Sequence, residues 1–143
     1  MRFSSASKEA DPCEAITQAI VPSDTTLILR DRRREEKSLE ICEGLTDLVA
    51  AFFSVSSKEL RRPGRPTSEV GRVRQIAMYV AHVALRLSMN EVGRGFGRDR
   101  TTVLYACHLI EDLRDDIEFD RIVHTVEKIA EAAFLKQGER RDG

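Results

Sequence analysis

Residues 98–102 read Arg-Asp-Arg-Thr-Thr, a run of guanidinium, carboxylate and hydroxyl groups. Bond-making chemistry needs a nucleophile with a base in reach, and no such constellation accompanies them. The acidic pairs Glu111/Asp112 and Asp115/Asp116 fall on a solvated helix end. The chain has no G-x-x-x-x-G-K-[ST] phosphate loop and no C-x-x-C pair. Cys107 beside His108 reads as a core thiol next to a surface imidazole, not as metal ligands. The chemistry left is hydrogen bonding: a guanidinium fork matches guanine or phosphate, and hydroxyls donate or accept as needed. These residues imply recognition without catalysis, cofactor or metal.

The spacing around them predicts the elements that present them. Ser88 with Glu91 three residues on is a capping-box signature, and opens a short helix whose Val92 and Phe96 face inward. Gly93, Gly95 and Gly97 then accumulate. No strand precedes G-R-G-F-G and its spacing is not G-x-G-x-x-G, so close packing and a left-handed turn explain these glycines better than a phosphate cradle. Asp99 caps a second helix with Arg100, Thr101 and Thr102 in its first turn. Val103, Ala106, Cys107, Ile110 and Leu113 form its buried stripe, while Thr101, Tyr105 and His108 share the opposite face. A short helix, a glycine turn and a second helix led by arginine and threonine is the layout of a helix-turn-helix reader.

The remaining segments brace this unit. A stripe of Leu39, Ile41, Cys42, Leu45, Leu48, Val49 and Phe52 predicts a helix over residues 38–53, with a short helical turn from Ser57. Residues 61–69, RRPGRPTSE, form a basic connector that Pro63 and Pro66 keep out of regular helix. Its Gly64-Arg65-Pro66 core reads either as an ordinary proline-rich linker or as an arm that carries an arginine into a narrow A·T minor groove. Thr67 or Ser68 caps the longest helix of the core, which runs to about Leu87. Val70, Val73, Ile76, Ala77, Val80, Ala84 and Leu87 are its buried face, with Arg72, Arg74 and Gln75 on the other side of its first turns. Arginines at a helix start do not help the macrodipole, and a polyanion opposite would account for them. A last amphipathic helix places Ile117, Ile122, Val123, Val126, Ile129, Ala130, Ala133 and Phe134 inward. No β-alternating stretch occurs, so the expected class is all-α.

Composition and charge narrow the class. No apolar run reaches the roughly 18 residues a membrane span needs, and the start lacks a secretory h-region. Three widely spaced cysteines suggest reduced thiols in a cytoplasm, where a DNA-binding chain would be nucleoid-associated. The net charge of −1 conceals segregation. Residues 1–57 carry seven Lys/Arg against ten Asp/Glu, residues 58–100 ten against four, and residues 101–143 six against ten. A basic middle of +6 between acidic flanks of −3 and −4 fits a DNA footprint, with ordinary charge fluctuation as the alternative. Residues 1–35, which include the mixed-charge run RDRRREEK, read as a flexible arm. Residues 36–137 then form the domain and residues 138–143 a flexible tail.

Three stretches together resemble the C-terminal DNA-binding domain of the bacterial replication initiator DnaA. They are VRQIAMYVA (73–81), LSMNEVG (87–93) and FGRDRTTVLYAC (96–107), in that order over about half the chain. The resemblance implies a Trp-repressor-like bundle of about six helices whose helix-turn-helix reads nine-base-pair boxes. It implies that Arg65 enters the minor groove and that Arg74 and Gln75, beside Arg72, grip DNA at the start of the long helix. It further implies that Asp99, Thr101 and Thr102 contact bases and phosphates, flanked by Arg98, Arg100 and Tyr105. Departures accompany the match: Gly97 stands alone where the family has two glycines, Arg100 and Tyr105 replace histidines, and Asn90 stands where many members have proline. Arg100 can bond guanine twice, so the preferred site is expected to differ from the initiator's.

The expected function is therefore sequence-specific binding of double-stranded DNA, in replication initiation, its control, or transcription. With no phosphate loop, nucleotide binding and duplex melting are not expected, and the chain reads as a stand-alone reader. The alternative is a protein-interaction module that has lost DNA reading and uses its acidic helix and N-terminal arm.

Overall fold

A computed structural model describes residues 24–64 and 67–135 of the chain. Contacts divide the chain into two units, residues 1–34 and residues 35–143. Six α-helices and one π-helical turn appear among the described residues. They are α1 (Asp24–Phe53), α2 (Ser57–Arg61), α3 (Ser68–Val83), α4 (Met89–Phe96), α5 (Arg100–Leu113), α6 (Ile117–Ala130) and the π turn Glu131–Leu135. No strand occurs among these residues, and the domain is the all-α, helix-turn-helix bundle that the resemblance implies. No helix of the described residues is long and apolar enough to cross a membrane.

The bundle is built around α3. Val70, Val73 and every residue from Ile76 to Ala81 are buried, so the helix is enclosed on more than one face. It packs on α2, α4, α5 and α6, most extensively on α5. Leu45 and Val49 from α1, Val92 from α4, Val103 and Ile110 from α5, and Val123 and Val126 from α6 complete the core. This arrangement follows from the apolar stripes, since each helix has one face to remove from water and α3 offers a surface to all of them.

The caps follow local chemistry. The Thr67 hydroxyl accepts from the Val70 amide, and at α4 both halves of the capping box form. Ser88 Oγ accepts from the Glu91 amide at 3.1 Å while Glu91 accepts from the Ser88 amide at 2.8 Å. Gly97 closes α4 in the left-handed region at φ 66°, and the Arg98 amide returns to the Gly93 carbonyl at 2.8 Å.

Three element boundaries differ from expectation. Helix α1 begins at Asp24, not near Ser38, and RDRRREEK within it is, Asp31 apart, built of good helix formers even though it lacks an apolar stripe. Helix α3 stops at Val83, not Leu87: Arg86 takes φ 63° and the Leu87 amide bonds back to the Ala81 carbonyl at 3.1 Å. The backbone thus turns before α4 while Ala84 and Leu87 stay buried. The last helix ends at Ala130, and the Phe134 ring in the π turn lies where a Cβ on Gly44 would meet it. Its inner face is also narrower than the pattern suggests. Val123, Val126 and Ala130 are buried, whereas Ile117, Ile122 and Ile129 are exposed.

Helix α4 is held on two sides by its glycines. A Cβ on Gly95 would collide with the Cys42 sulfur of α1, and one on Gly93 would stand 2.7 Å from the Arg98 carbonyl oxygen. Gly93 thus lets the turn close over α4. Gly93→Ala is expected to destabilise the fold by about 1–3 kcal/mol, the usual cost of forcing atoms into a packed site, read as a fall in the urea midpoint.

Core titratable groups make a second prediction. Burial, then Glu91, pushes the Cys42 thiol from 9.0 up to about 12, and burial, then Glu111, pushes Cys107 up to about 11. The folded chain therefore holds protons that the unfolded chain releases above pH 9.0. Stability is fully present below that value and declines as pH rises towards about 12. Denaturant unfolding across this window should show the decline, and Cys42→Ala should flatten it.

Candidate nucleic-acid interface

Helix α5 presents its first turn to solvent. Arg100, Thr101 and Thr102 are exposed, and Tyr105, one turn further, is 65% exposed. Val103, Ala106, Cys107 and Ile110 fix the opposite side against α3 and α4, so the exposed set faces outward by packing, not by chance rotamer. Asp99 occupies the cap position in extended geometry, but its carboxylate makes no capping bond, contrary to the expectation that it caps. The backbone geometry alone starts the helix, and its leading amides have no side-chain acceptor. Asn90, exposed at the start of α4, belongs to the helix that packs on α5.

The arginines and the glutamine at the start of α3 behave differently from one another. Arg72 is half-buried and donates to Gln75 Oε1 at 3.3 Å, so two of the expected site residues are bonded together. Arg74 is 6% exposed. Its Nε donates to the Leu60 carbonyl at 3.0 Å, and its Nη2 donates to the carbonyls of Arg62 at 3.1 Å and Glu59 at 3.3 Å. The Leu60 and Arg62 carbonyls lie at the end of α2, where no further helical turn supplies donors, and the Glu59 carbonyl also accepts from the Arg62 amide. Sequence periodicity placed Arg74 on the face opposite the buried stripe, and the structure turns it inward against backbone. Burial, then the neighbouring Arg98 charge, lowers its affinity for its proton.

Arg98 reaches the same place from the turn. Its Nη2 donates to the Arg62 carbonyl at 3.2 Å. Arg61 pairs with Asp47 at 3.1 Å and Arg62 with Glu59 at 3.0 Å, both as exposed pairs of small energetic weight. Arg94 pairs with Glu35 at 3.1 Å. Arg65 lies outside the described residues.

A polar bracket that the sequence did not disclose holds the far end of α5. Arg114 bonds Asp120 and Glu127 of α6 and donates to the Tyr79 hydroxyl at 3.2 Å. Tyr79 in turn donates to Glu111 at 2.7 Å. Burial alone would lower the Arg114 pKa, but the bonds to Asp120, Tyr79 and Glu127 outweigh it and raise it. Burial first, and the bond to Glu111 second, push Tyr79 up to about 12. The available signal was Arg114 itself, a lone cation in the acidic run 111–120.

A short helix, a left-handed glycine turn and a second helix with an open polar first turn define a helix-turn-helix domain. Residues 42–110 match the family described as the bacterial dnaA protein helix-turn-helix. The chain is 37% identical over 81 residues to the chromosomal replication initiator protein DnaA of Mycobacteroides abscessus, covering 56% of this chain and 16% of that protein. It is 33% identical over 112 residues to the DnaA of Rickettsia africae, covering 77% and 24%. A crystal structure of a DNA replication initiation factor superposes with a TM-score of 0.65 at 27% identity, over 72% of this chain and 32% of that one. A replication initiator DnaA bound to AMPPCP and single-stranded DNA superposes with a TM-score of 0.58 at 25% identity, over 82% and 35%. The chain thus spans less than two thirds of these relatives.

The Arg114 bracket has a measurable weight. Arg114→Ala leaves Glu127, only 12% exposed, without its partner. The expected loss is about 3 kcal/mol, the lower end for breaking a buried ion pair, measured by thermal or urea unfolding.

Proposed function

We propose that the domain reads double-stranded DNA in a sequence-specific manner, with α5 in the major groove and its first turn at the base edges. The observation that carries this reading is the outward first turn of α5, in which Arg100, Thr101 and Thr102 project while Val103 and Ala106 anchor the helix. The +6 balance of residues 58–100 supports it, since phosphate attraction supplies most of the non-specific affinity. Arg100 is the principal specificity residue, with two donors for one guanine. Thr101, Asp99 and Tyr105 add base or sugar contacts, while Thr102, Arg98, Gln75, Arg72 and Asn90 meet the backbone. The sequence Gly64-Arg65-Pro66 supports Arg65 as a minor-groove arm.

Likeness to replication initiators supports a role in replication initiation or its control. Transcriptional regulation is the other role a DNA reader of this class takes. A second reading, docking to a protein partner, draws on Ile117, Ile122 and Ile129, which stand exposed on α6.

Selection from random duplexes with the purified protein tests the reading directly. An enriched motif is expected, and one close to an initiator box favours replication control over transcription. Arg100→Ala and Thr101→Ala should each relax choice at one position by about 1–3 kcal/mol per good contact, with little change on scrambled duplex. Unchanged discrimination in both would remove α5 as the reading element. A protein that ignores all DNA at low salt favours the docking reading.

A further inference from the structure

The start of α3 and the turn before α5 converge on one carbonyl. The Arg62 oxygen accepts from Arg74 at 3.1 Å and from Arg98 at 3.2 Å, and Arg74 also bonds the carbonyls of Leu60 and Glu59. Among the described residues no carboxylate stands within ion-pair distance of Arg74, so its buried charge is met by backbone dipoles alone. Those dipoles end a helix of only five residues, Ser57–Arg61, which has little stability of its own. Residues 62–64 are exposed, and Gly64 takes φ 94°.

We propose that Arg74 is a positioning residue: its guanidinium closes the C-terminal end of α2 and fixes where the basic connector leaves the bundle, with Arg98 tying the same point to the helix-turn-helix turn. Three of the five Arg74 N–H donors are thereby committed to backbone carbonyls. In this role Arg74 acts on DNA through the backbone after α2, by setting where Arg62 leaves the bundle. The fork is essential to this role. A lysine carries the same charge, but its single nitrogen cannot meet three separated carbonyls in the same planar geometry.

The role in DNA binding rests on the proposed function, whereas the clamp itself can be measured without DNA. Amide hydrogen exchange on the free, full chain would follow Leu60 and Arg62, whose amides bond to the Ser56 and Glu59 carbonyls, against core amides of α3 and α5. In Arg74→Ala, exchange at Leu60 and Arg62 is expected to rise by about tenfold or more while the core stays protected. Arg74→Lys should behave like Arg74→Ala, and both should bind duplex more weakly than wild type. The inference is overturned if exchange at Leu60 and Arg62 is unchanged, or if lysine restores both protection and binding, as a phosphate contact would allow. Should Arg74→Ala fail to fold, Arg74→Lys carries the test, and equal acceleration of α2 and core amides in it also overturns the inference. A wild-type protein that ignores DNA would sink the proposed function and leave the exchange result to decide the clamp.

Discussion

Burial of α3 is the constraint from which the other elements take their positions. Four helices share its surface, and each has a single apolar stripe to remove from water. Their directions are then not independent, because moving α5 would uncover Ile110 or expose Ile76. Helix α5 is therefore set by the core behind it. Its exposed first turn carries Arg100, Thr101 and Thr102, with Tyr105 one turn further.

Around that apolar axis, two polar devices act at opposite ends of the domain. At one end Arg74 and Arg98 gather the end of α2 onto α3 and the turn. At the other, Arg114 joins α6 to α3 through Asp120, Glu127 and Tyr79. The two differ in kind. Arg114 is paired with carboxylates, whereas among the described residues Arg74 is met by backbone carbonyls and stands near a second arginine, Arg98.

Much of this was legible from residue order because it depends on near neighbours. The capping box at Ser88, the Thr67 cap, the left-handed Gly97 and the buried stripe of α5 all arise within a few residues of chain. What escaped depended on distant partners. Arg74 looked outward because a helical wheel knows nothing of carbonyls 12 to 15 residues earlier. Ile117, Ile122 and Ile129 looked inward because a wheel assumes that every apolar residue finds a neighbour. At Asp99 the residue type suited a cap, and the structure gave it the position without the bond. The start of α1 escaped for a different reason, since charged helix formers leave no periodic trace.

That uncapped start of α5 has a thermodynamic corollary. A capping bond is worth about 1 kcal/mol, and the free domain folds without it. Any acceptor that docks against those amides adds an interaction that the unfolded chain lacks. Ligand and fold are then linked, and the melting temperature should track occupancy of the helix start. In this sense the start of α5 stays open: among the described residues Asp99 holds the cap position without making the capping bond.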